Sequence, residues 1–376
     1  LDQVIGHRGI HHADTADIQH KRVGAIVDNA RQGLVHDIFR APGIDDAHDG
    51  CKQYAFPDLC NRCRHFQHRQ AAVQHLVSDV GGKLDHLHQA AVLVEDGVVQ
   101  AAGLALEVPD GAEVIDARGC WVTPGFIDLH THYDAELEID PGLTESVRHG
   151  VTTVLVGSCG LSFAVGEVED LADMFCRVEG VPRTEVLPLL ERVKDWKTPA
   201  DYLDHLEGLP LGPNVCSFLG HSAIRAHVMG LGRSLEEDVV PTAAELDEMA
   251  LMVDESLDAG YLGLSINTLP WDKMDGDRFR SRPTPSVFAK WKEYRHLSAV
   301  LRRRDAVLEG VPDISQRWNL LLFAANAAGI GRPALRTSII SMLDVKAAPG
   351  MYRVLGGVTS ALRRVARADV RLQSLP

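Results

Sequence analysis

The chain has 376 residues, of which 45% are hydrophobic and 24% charged, and its formal net charge is −14. This is the composition of a globular protein, and it excludes the collagen-like, wholly disordered and disulfide-scaffold classes. The negative charge would repel phosphate backbones, so we expect no nucleic-acid partner. No apolar run reaches the roughly 18 residues that a membrane span requires, so we expect no membrane partner either.

The first eighty residues differ from the rest of the chain in histidine content and in hydrophobic periodicity. Eleven of the 18 histidines fall between His7 and His88, in a stretch without sustained helical or strand periodicity. We therefore expect residues 1–80 to be a disordered or non-native extension. The seven cysteines have no framework spacing, and no apolar leader segment precedes them. Both features favour a reducing compartment, which we take to be the cytoplasm.

Residues 81–124 are predicted to form part of a small β domain. AVLVEDGVVQAAG (91–103) is typical of a hairpin that turns at Asp96-Gly97. EVIDARGCWVTPG (113–125) adds strand character and stops at Pro124-Gly125.

From residue 125 to residue 376, strand-like and helix-like segments alternate. This rhythm predicts an α/β domain with a parallel sheet, either open or barrel-shaped. The strand candidates are apolar, β-branched runs: FIDLH (126–130), VTTVLVG (151–157), NVCSFLG (214–220), YLGLSI (261–266), DAVLEG (305–310), LRTSIISML (335–343) and DVRLQSL (369–375).

The clearest helix follows Thr242. Thr242 and Glu245 have the spacing of a capping box, in which each side chain bonds the other residue's backbone N–H. Leu246, Met249, Val253 and Leu257 then recur at helical steps, and Gly260 is placed to end the helix.

His130 and His132 form the most informative pair in the sequence. They lie in GFIDLHTHYDAE (125–136), where alternate residues of a strand point to the same side. Both imidazoles could therefore reach one metal ion. Asp134 follows the pair, and Pro124-Gly125 precedes the strand.

Cys159 follows the next strand candidate, between Gly157 and Gly160. A thiolate is a good zinc ligand, and glycines let the backbone fold closely around an ion. The alternative for a free cysteine is a small buried apolar side chain. The neighbouring histidine pair favours the ligand interpretation.

Three segments carry a family resemblance. PGFIDLHTHYD (124–134), HGVTTVLVGSCGLSFA (149–164) and LGHSAIRAHVMG (219–230) resemble motifs of the N-acyl-D-amino-acid deacylases (D-aminoacylases), a branch of the amidohydrolase superfamily. The resemblance implies a TIM-like (β/α) barrel with a small β domain. It also implies one or two Zn²⁺ ions, with His130, His132 and Cys159 as ligands.

The chain departs from the family pattern in its second half. The family takes two further histidine ligands from its fifth and sixth strands, where this chain has AVLEGVPDI (306–314) and TSIISMLDVKA (337–347). Glu309 and Asp344 are the acids closest to these strand ends. They are either substitute ligands or loop acids. The family's catalytic aspartate would fall beyond Pro376, so we expect an incomplete barrel with weak or no activity from these residues alone.

Two further features concern substrate. By resemblance, His221 and Arg225 lie at the rim of the site, where Arg225 could bind a substrate carboxylate. The alternative is a structural role for both residues. Residues 162–208 form a long excursion between strands, which is typical of a lid.

The resemblance therefore implies hydrolysis of a non-peptide amide C–N bond by a zinc-bound hydroxide, with a small N-acyl amino acid as substrate. Three alternatives stay open: a cyclic-amide hydrolase of the dihydroorotase or hydantoinase type, a non-catalytic metal-binding homologue, and a truncated chain without a stable fold. The sequence fixes neither the acyl group, the side chain and the stereochemistry of the substrate nor the oligomeric state.

Overall fold

A computed structural model describes residues 71–74, 77–78, 87–88, 91–95, 98–103, 106–117, 122, 124–313, 317–340 and 350–373. The chain divides into two compact units. The first contains the described residues up to Asp128 together with Gly142–Thr153 and Gly212–Asn214. The second contains Leu129–Pro141, Val154–Leu211 and the described residues from Val215 onward. Asp344 and residues 1–70 of the predicted extension lie outside the described residues.

The described elements follow the alternation that the sequence predicts. The strands are β1 (Ala71–Gln74), β2 (Val77–Ser78), β3 (Leu87–His88), β4 (Ala91–Glu95), β5 (Val98–Gly103), β6 (Glu113–Asp116), β7 (Phe126–Asp128), β8 (Val151–Val156), β9 (Asn214–Ser217), β10 (Leu219–Gly220), β11 (Gly263–Asn267), β12 (Val307–Val311), β13 (Arg336–Ile340) and β14 (Asp369–Gln373). The helices are α1 (Asp134–Leu137), α2 (Thr144–Arg148), α3 (Val168–Glu179), α4 (Arg183–Val193), α5 (Pro199–Gly208), α6 (His221–Met229), α7 (Leu231–Ser234), α8 (Ala243–Ala259), α9 (Pro285–Phe288), α10 (Trp291–Arg303), α11 (Arg317–Ala327) and α12 (Met351–Val365).

The first unit contains a four-stranded sheet of order β5-β4-β1-β6. β4 and β5 pair antiparallel across the predicted turn, which confirms the hairpin. β1 pairs with β4 and β6 although it falls inside the predicted extension. The extent of the predicted extension, residues 1–80, stays a prediction, although β1 lies within it. The short run AAVQ carries too little periodicity to be recognised without its partner strands.

The second unit contains a parallel sheet of order β10-β11-β12-β13-β14, with helices between successive strands. Each pairing in this sheet is parallel, as the apolar, β-branched runs predict, and the α/β class is confirmed. The register places Ser265, Glu309 and Ser338 side by side on β11, β12 and β13. Paired residues of neighbouring strands share a face, so this register forms a polar row. A separate three-stranded sheet has the order β7-β8-β9.

Helix α8 confirms the capping-box prediction. The Thr242 hydroxyl accepts from the Glu245 backbone N–H at 3.2 Å, and the Glu245 carboxylate accepts from the Thr242 N–H at 2.8 Å. Met249 and Val253 on the predicted apolar face are buried, and the helix packs against α10. Gly260 ends the helix with a φ of +120°, a conformation that favours glycine.

The excursion at residues 162–208 forms the three helices α3, α4 and α5. Its buried side chains include Phe175, Leu190 and Tyr202, and the Trp196 indole donates to the Phe163 carbonyl at 2.8 Å. Its role as a lid stays a prediction. Within the described part of the chain, no helix is both long enough and apolar enough to cross a membrane.

Candidate metal centre

The segment after β7 positions the two histidines. The Thr131 backbone N–H and hydroxyl both donate to the Leu155 carbonyl of β8, at 3.0 and 2.6 Å. Thr131 is thereby buried against β8. Its neighbours His130 and His132 follow the end of β7 at Asp128, and Nε2 of one lies 3.2 Å from Nε2 of the other.

Cys159 stands in an unusual backbone conformation at the end of β8. Its φ is +56°, in the left-handed region that costs an L-residue about 1–2 kcal/mol. Gly157 precedes it at a φ of +73°, and a Cβ on Gly157 would lie 2.1 Å from the Phe218 carbonyl oxygen. The loop is held by the Cys159 N–H, which donates to Glu309, and by the Gly160 N–H, which donates to Ser265. Strain of this kind is typical of functional sites.

The side chains of His130, His132 and Cys159 converge on one point. Nε2 of His130 lies 3.2 Å from Nε2 of His132 and 3.3 Å from Sγ of Cys159. One donor atom from each residue falls within 4.8 Å of the others. Two imidazoles on a tetrahedral zinc, each about 2.0–2.1 Å from the metal, would have their nitrogens about 3.3 Å apart. The cluster therefore has the spacing of a metal-ligand set. Whether a metal binds there stays a prediction.

Glu309 lies behind this cluster with no solvent exposure. Its Oε1 lies 3.1 Å from Nδ1 of His130, and its Oε2 accepts from the Cys159 N–H at 3.0 Å. The Gln373 amide is 3.4 Å from Oε1. Both carboxylate oxygens thus contact other members of the cluster, one His130 and the other Cys159. The predicted role of Glu309 as a direct metal ligand stays a prediction, as does that of Asp344.

Glu179 is a member of the site that the sequence analysis missed. It is the last residue of α3, and its Oε1 lies 3.3 Å from Nδ1 of His132. A sequence signal did exist. A glutamate at the C-terminal end of a helix is opposed by the helix dipole, so an acid there needs a partner elsewhere. The identity of that partner depends on tertiary structure.

The electrostatics of the site favour a neutral imidazole and leave an excess of carboxylates. Burial, and secondarily His130, lower the pKa of His132 to about 3. Burial raises the pKa of Glu179 to about 8, with neighbouring Asp134 and Asp272 contributing. Burial also raises the pKa of Cys159 well above its ordinary value, and the nearby carboxylates add to this effect.

Glu179, Asp134 and Asp272 form a group of acids near His132. Among the described residues, no lysine or arginine forms an ion pair with Glu179, Asp134 or Asp272, and the ion-pair partner of Glu179 is His132. Burial, with a smaller contribution from Glu138, raises the pKa of Asp134 to about 6 against opposing backbone hydrogen bonds. Buried charges are normally paired or bound to metals, so a divalent cation would stabilise this arrangement.

His221 and Arg225 lie in a fully buried network. Both contact Glu293, with Nε2 of His221 3.0 Å from its carboxylate and the Arg225 guanidinium donating to the other oxygen. Although burial opposes it, His221 and Arg225 hold the pKa of Glu293 below its ordinary value. Arg225 also donates to the Ser234 and Val239 carbonyls. This geometry favours the structural alternative, and the predicted contact with substrate stays a prediction.

Known proteins are similar to this chain in sequence. Residues 113–270 match the model of the Amidohydrolase family. An uncharacterized protein of Mycobacterium tuberculosis (strain H37Rv) is 50% identical over 287 residues, which are 75% of this chain and 47% of that protein. N-acyl-D-aspartate deacylase of Alcaligenes xylosoxydans xylosoxydans is 35% identical over 181 residues, 48% of this chain and 33% of the enzyme. The chain spans about half the length of the mycobacterial relative.

Solved structures show the same fold. N-acyl-D-glutamate deacylase from Bordetella bronchiseptica, complexed with zinc and a phosphonate mimic of the tetrahedral intermediate, matches with a TM-score of 0.61 at 22% identity. The match covers 81% of this chain and 58% of that one. This likeness confirms the predicted fold, part of an amidohydrolase (β/α) barrel. The resemblance indicated by the three motifs is confirmed as well: residues 113–270 match the Amidohydrolase family model, and the chain is similar in sequence to an N-acyl-D-aspartate deacylase.

Proposed function

We propose that this chain forms the metal centre of a hydrolase that cleaves amide C–N bonds other than peptide bonds, most like the deacylation of N-acyl-D-amino acids. One observation carries the proposal: Nε2 of His130, Nε2 of His132 and Sγ of Cys159 converge at ligand-to-ligand distances. The two histidines follow β7 and the cysteine follows β8, where its backbone has the left-handed conformation that is typical of functional sites.

The donor set fits zinc better than other common metals. Two imidazoles and one thiolate are typical of zinc sites, whereas magnesium and calcium prefer oxygen ligands. The carboxylates of Glu179 and Glu309 lie behind the histidines and supply negative charge that a divalent cation would balance. The three converging donors account for one ion.

When bound, Zn²⁺ would supply a Lewis acid for the amide carbonyl and would lower the pKa of a coordinated water towards about 7. The residues of the chain would bind and orient. His130 and His132 would present Nε2 because Nδ1 of each faces a carboxylate. Their side chains are 15% and 18% exposed, so a small substrate can reach the donor atoms.

The substrate class rests on the relatives. A small N-acylated amino acid is the substrate that the name of the Alcaligenes relative indicates, and the Bordetella structure holds zinc with a phosphonate that mimics the tetrahedral intermediate. We propose the same class here, without assigning the acyl group or the side chain. The described cysteines Cys159, Cys176 and Cys216 are free thiols, which supports the proposal of a reducing, cytoplasmic location.

The test is metal-dependent binding of a transition-state mimic. The zinc-loaded chain is titrated calorimetrically with a phosphonate analogue of an N-acyl-D-amino acid and, separately, with its L-enantiomer and with a hydantoin. We expect binding of the D-phosphonate that disappears in the metal-free protein and in a His130→Ala/His132→Ala variant. Preference for the hydantoin would favour the cyclic-amide alternative. Zinc binding without affinity for any of these probes would contradict the proposal and favour a non-catalytic metal-binding protein.

A further inference from the structure

We propose that Glu179 is a positioning residue of the metal centre: its carboxylate holds Nδ1 of His132 so that Nε2 stays directed at the point shared with His130 and Cys159. This inference rests on the proposed metal centre and adds to it a residue from helix α3. The excursion at residues 162–208 would then contribute to metal affinity, apart from any role as a lid.

The two histidines are arranged in the same way. Nδ1 of His130 faces Glu309 at 3.1 Å, and Nδ1 of His132 faces Glu179 at 3.3 Å. Nε2 of each ring faces the other ring at 3.2 Å. A carboxylate behind a histidine fixes the tautomer, because Nδ1 then carries the proton and Nε2 keeps its lone pair for a metal. Glu179 is placed to do for His132 what Glu309 does for His130.

Nδ1 of His132 needs this partner. The atom is buried, and in the structure it has no hydrogen bond of good geometry, although Glu179 lies at ion-pair distance. An unsatisfied buried N–H costs about 1–3 kcal/mol. Among the described residues, His132 forms its ion pair with Glu179.

The backbone holds Glu179 in place. Helix α3 buries Leu171 and Phe175, and it ends at Gly180, whose φ of +67° lets the chain turn directly after the glutamate. The Glu179 side chain is 18% exposed. A carboxylate at this end of a helix faces the negative end of the helix dipole. The dipole disfavours the ionised form of Glu179, and the charge of Glu179 does not stabilise the helix. Pairing with His132 and proximity to a cation would offset this cost.

The experiment measures metal affinity by cobalt substitution. Co²⁺ is titrated into the metal-free wild-type chain and into the variants Glu179→Ala, Glu179→Gln and Glu191→Gln. The absorption of the cobalt–thiolate bond and the visible bands of tetrahedral Co²⁺ are recorded. Glu191 is an exposed acid on α4 of the same excursion, so Glu191→Gln is a control for the lost charge. Thermal melting of each metal-free protein tests whether the variants fold.

We expect Glu179→Ala to bind Co²⁺ about 10- to 100-fold more weakly than the wild type, with an altered visible spectrum, while the metal-free variant keeps a cooperative melting transition. Glu179→Gln should recover part of the affinity, because its amide oxygen can accept from Nδ1. Glu191→Gln should match the wild type. Wild-type affinity and spectrum in Glu179→Ala would overturn the inference.

A second measurement separates this inference from the proposed function. In metal-free protein labelled with ¹⁵N-histidine and studied at pH 9, where the Glu179 carboxyl is ionised, and with the His132 signals assigned by a His132→Asn variant, we expect Nδ1 of His132 to be protonated in the wild type and the tautomers to mix in Glu179→Ala. Failure of the wild type to bind cobalt would contradict the proposed metal centre. An unchanged His132 tautomer in Glu179→Ala would contradict the role of Glu179.

Discussion

Sγ of Cys159 lies 3.3 Å from Nε2 of His130, although the two residues are 29 positions apart and follow different strands. The contact depends on the left-handed backbone at Cys159, which a β-branched or bulky residue would not adopt. A left-handed backbone favours glycine, so the conformation gives no reason for a cysteine at this position. The reason is the thiol, which contacts His130.

This relationship predicts the effect of Cys159→Gly. Glycine relieves the left-handed strain, worth about 1–2 kcal/mol, but adds flexibility to the unfolded chain, worth about 0.5–1 kcal/mol. We expect the free energy of unfolding of the metal-free protein to stay within about 1 kcal/mol of the wild type, while zinc is lost. Urea unfolding and zinc content check both parts. Cys216→Ala, which removes a thiol from β9, should keep its zinc, and a Cys159→Gly variant that also keeps it would contradict the role of the thiolate.

Glu309 should contribute both to the stability of the fold and to the affinity for zinc. In Glu309→Ala, the Cys159 N–H and Nδ1 of His130 lose their acceptor, so we expect a destabilisation of about 1–3 kcal/mol in urea unfolding of the metal-free chain. Zinc affinity should fall about 10- to 100-fold. Glu309→Gln keeps the side-chain volume and should show the smaller loss of both. If Glu309→Ala matched the wild type in zinc affinity, Glu309 would not support His130.

Much of the fold could be predicted because its signals are local. The Asp96-Gly97 turn, the capping box at Thr242 and the apolar runs that became β8 and β11 all lie within a few residues of the structure they specify. His130 and His132 could be grouped from the alternation of a predicted strand, although the described strand β7 ends at Asp128 and both histidines follow it.

The features of the site that could not be predicted depend on contacts between residues distant in sequence. Glu179 lies 47 positions after His132, and its partnership follows from the path of α3, which periodicity does not give. Glu309 could be singled out as an acid near a strand end, but its hydrogen bonds to two other cluster members could not. The partner of Arg225 is Glu293, 68 positions away, so a structural role and a substrate role could not be separated.

Arg225 provides a test between those two roles. Arg225→Met removes one partner of a fully buried ion pair and leaves Glu293 with His221 alone, so we expect a loss of about 3–5 kcal/mol in unfolding free energy. The loss is measured by urea unfolding at pH 7. A variant that stays as stable as the wild type but no longer binds the D-phosphonate would contradict the structural role and support contact with substrate.

The capping box of α8 gives a prediction of pH dependence. Hydrogen bonds from Arg233 and from the Thr242 N–H lower the pKa of Glu245 to about 2, from an ordinary value near 4.5. A carboxylate with a lowered pKa stabilises the fold above its unfolded pKa, and this stabilisation is lost as the pH falls from about 4.5 towards 2. Wild type should therefore exceed Glu245→Gln in melting temperature at pH 7, and the difference should shrink by pH 3. A difference that grows on acidification would contradict the assignment.

Thr242, the uncharged residue of the capping box, should stabilise the fold at every pH. Thr242→Ala removes the hydroxyl that accepts from the Glu245 N–H, and loss of an N-cap costs about 1 kcal/mol. We expect this loss in urea unfolding at pH 7. Thr242→Ser keeps the acceptor and should lose a smaller amount. Equal stability of Thr242→Ala and wild type would show that α8 does not depend on its cap.

The central claim is that His130, His132 and Cys159 hold a metal ion, and zinc content tests it most directly. The purified 376-residue chain is analysed by elemental mass spectrometry beside His130→Ala/His132→Ala and beside His227→Ala/His296→Ala, which removes two exposed histidines. We predict close to one zinc per chain in the wild type and in the exposed-histidine control, and none in His130→Ala/His132→Ala. Equal zinc in all three proteins, or no zinc in the wild type, would contradict the metal centre.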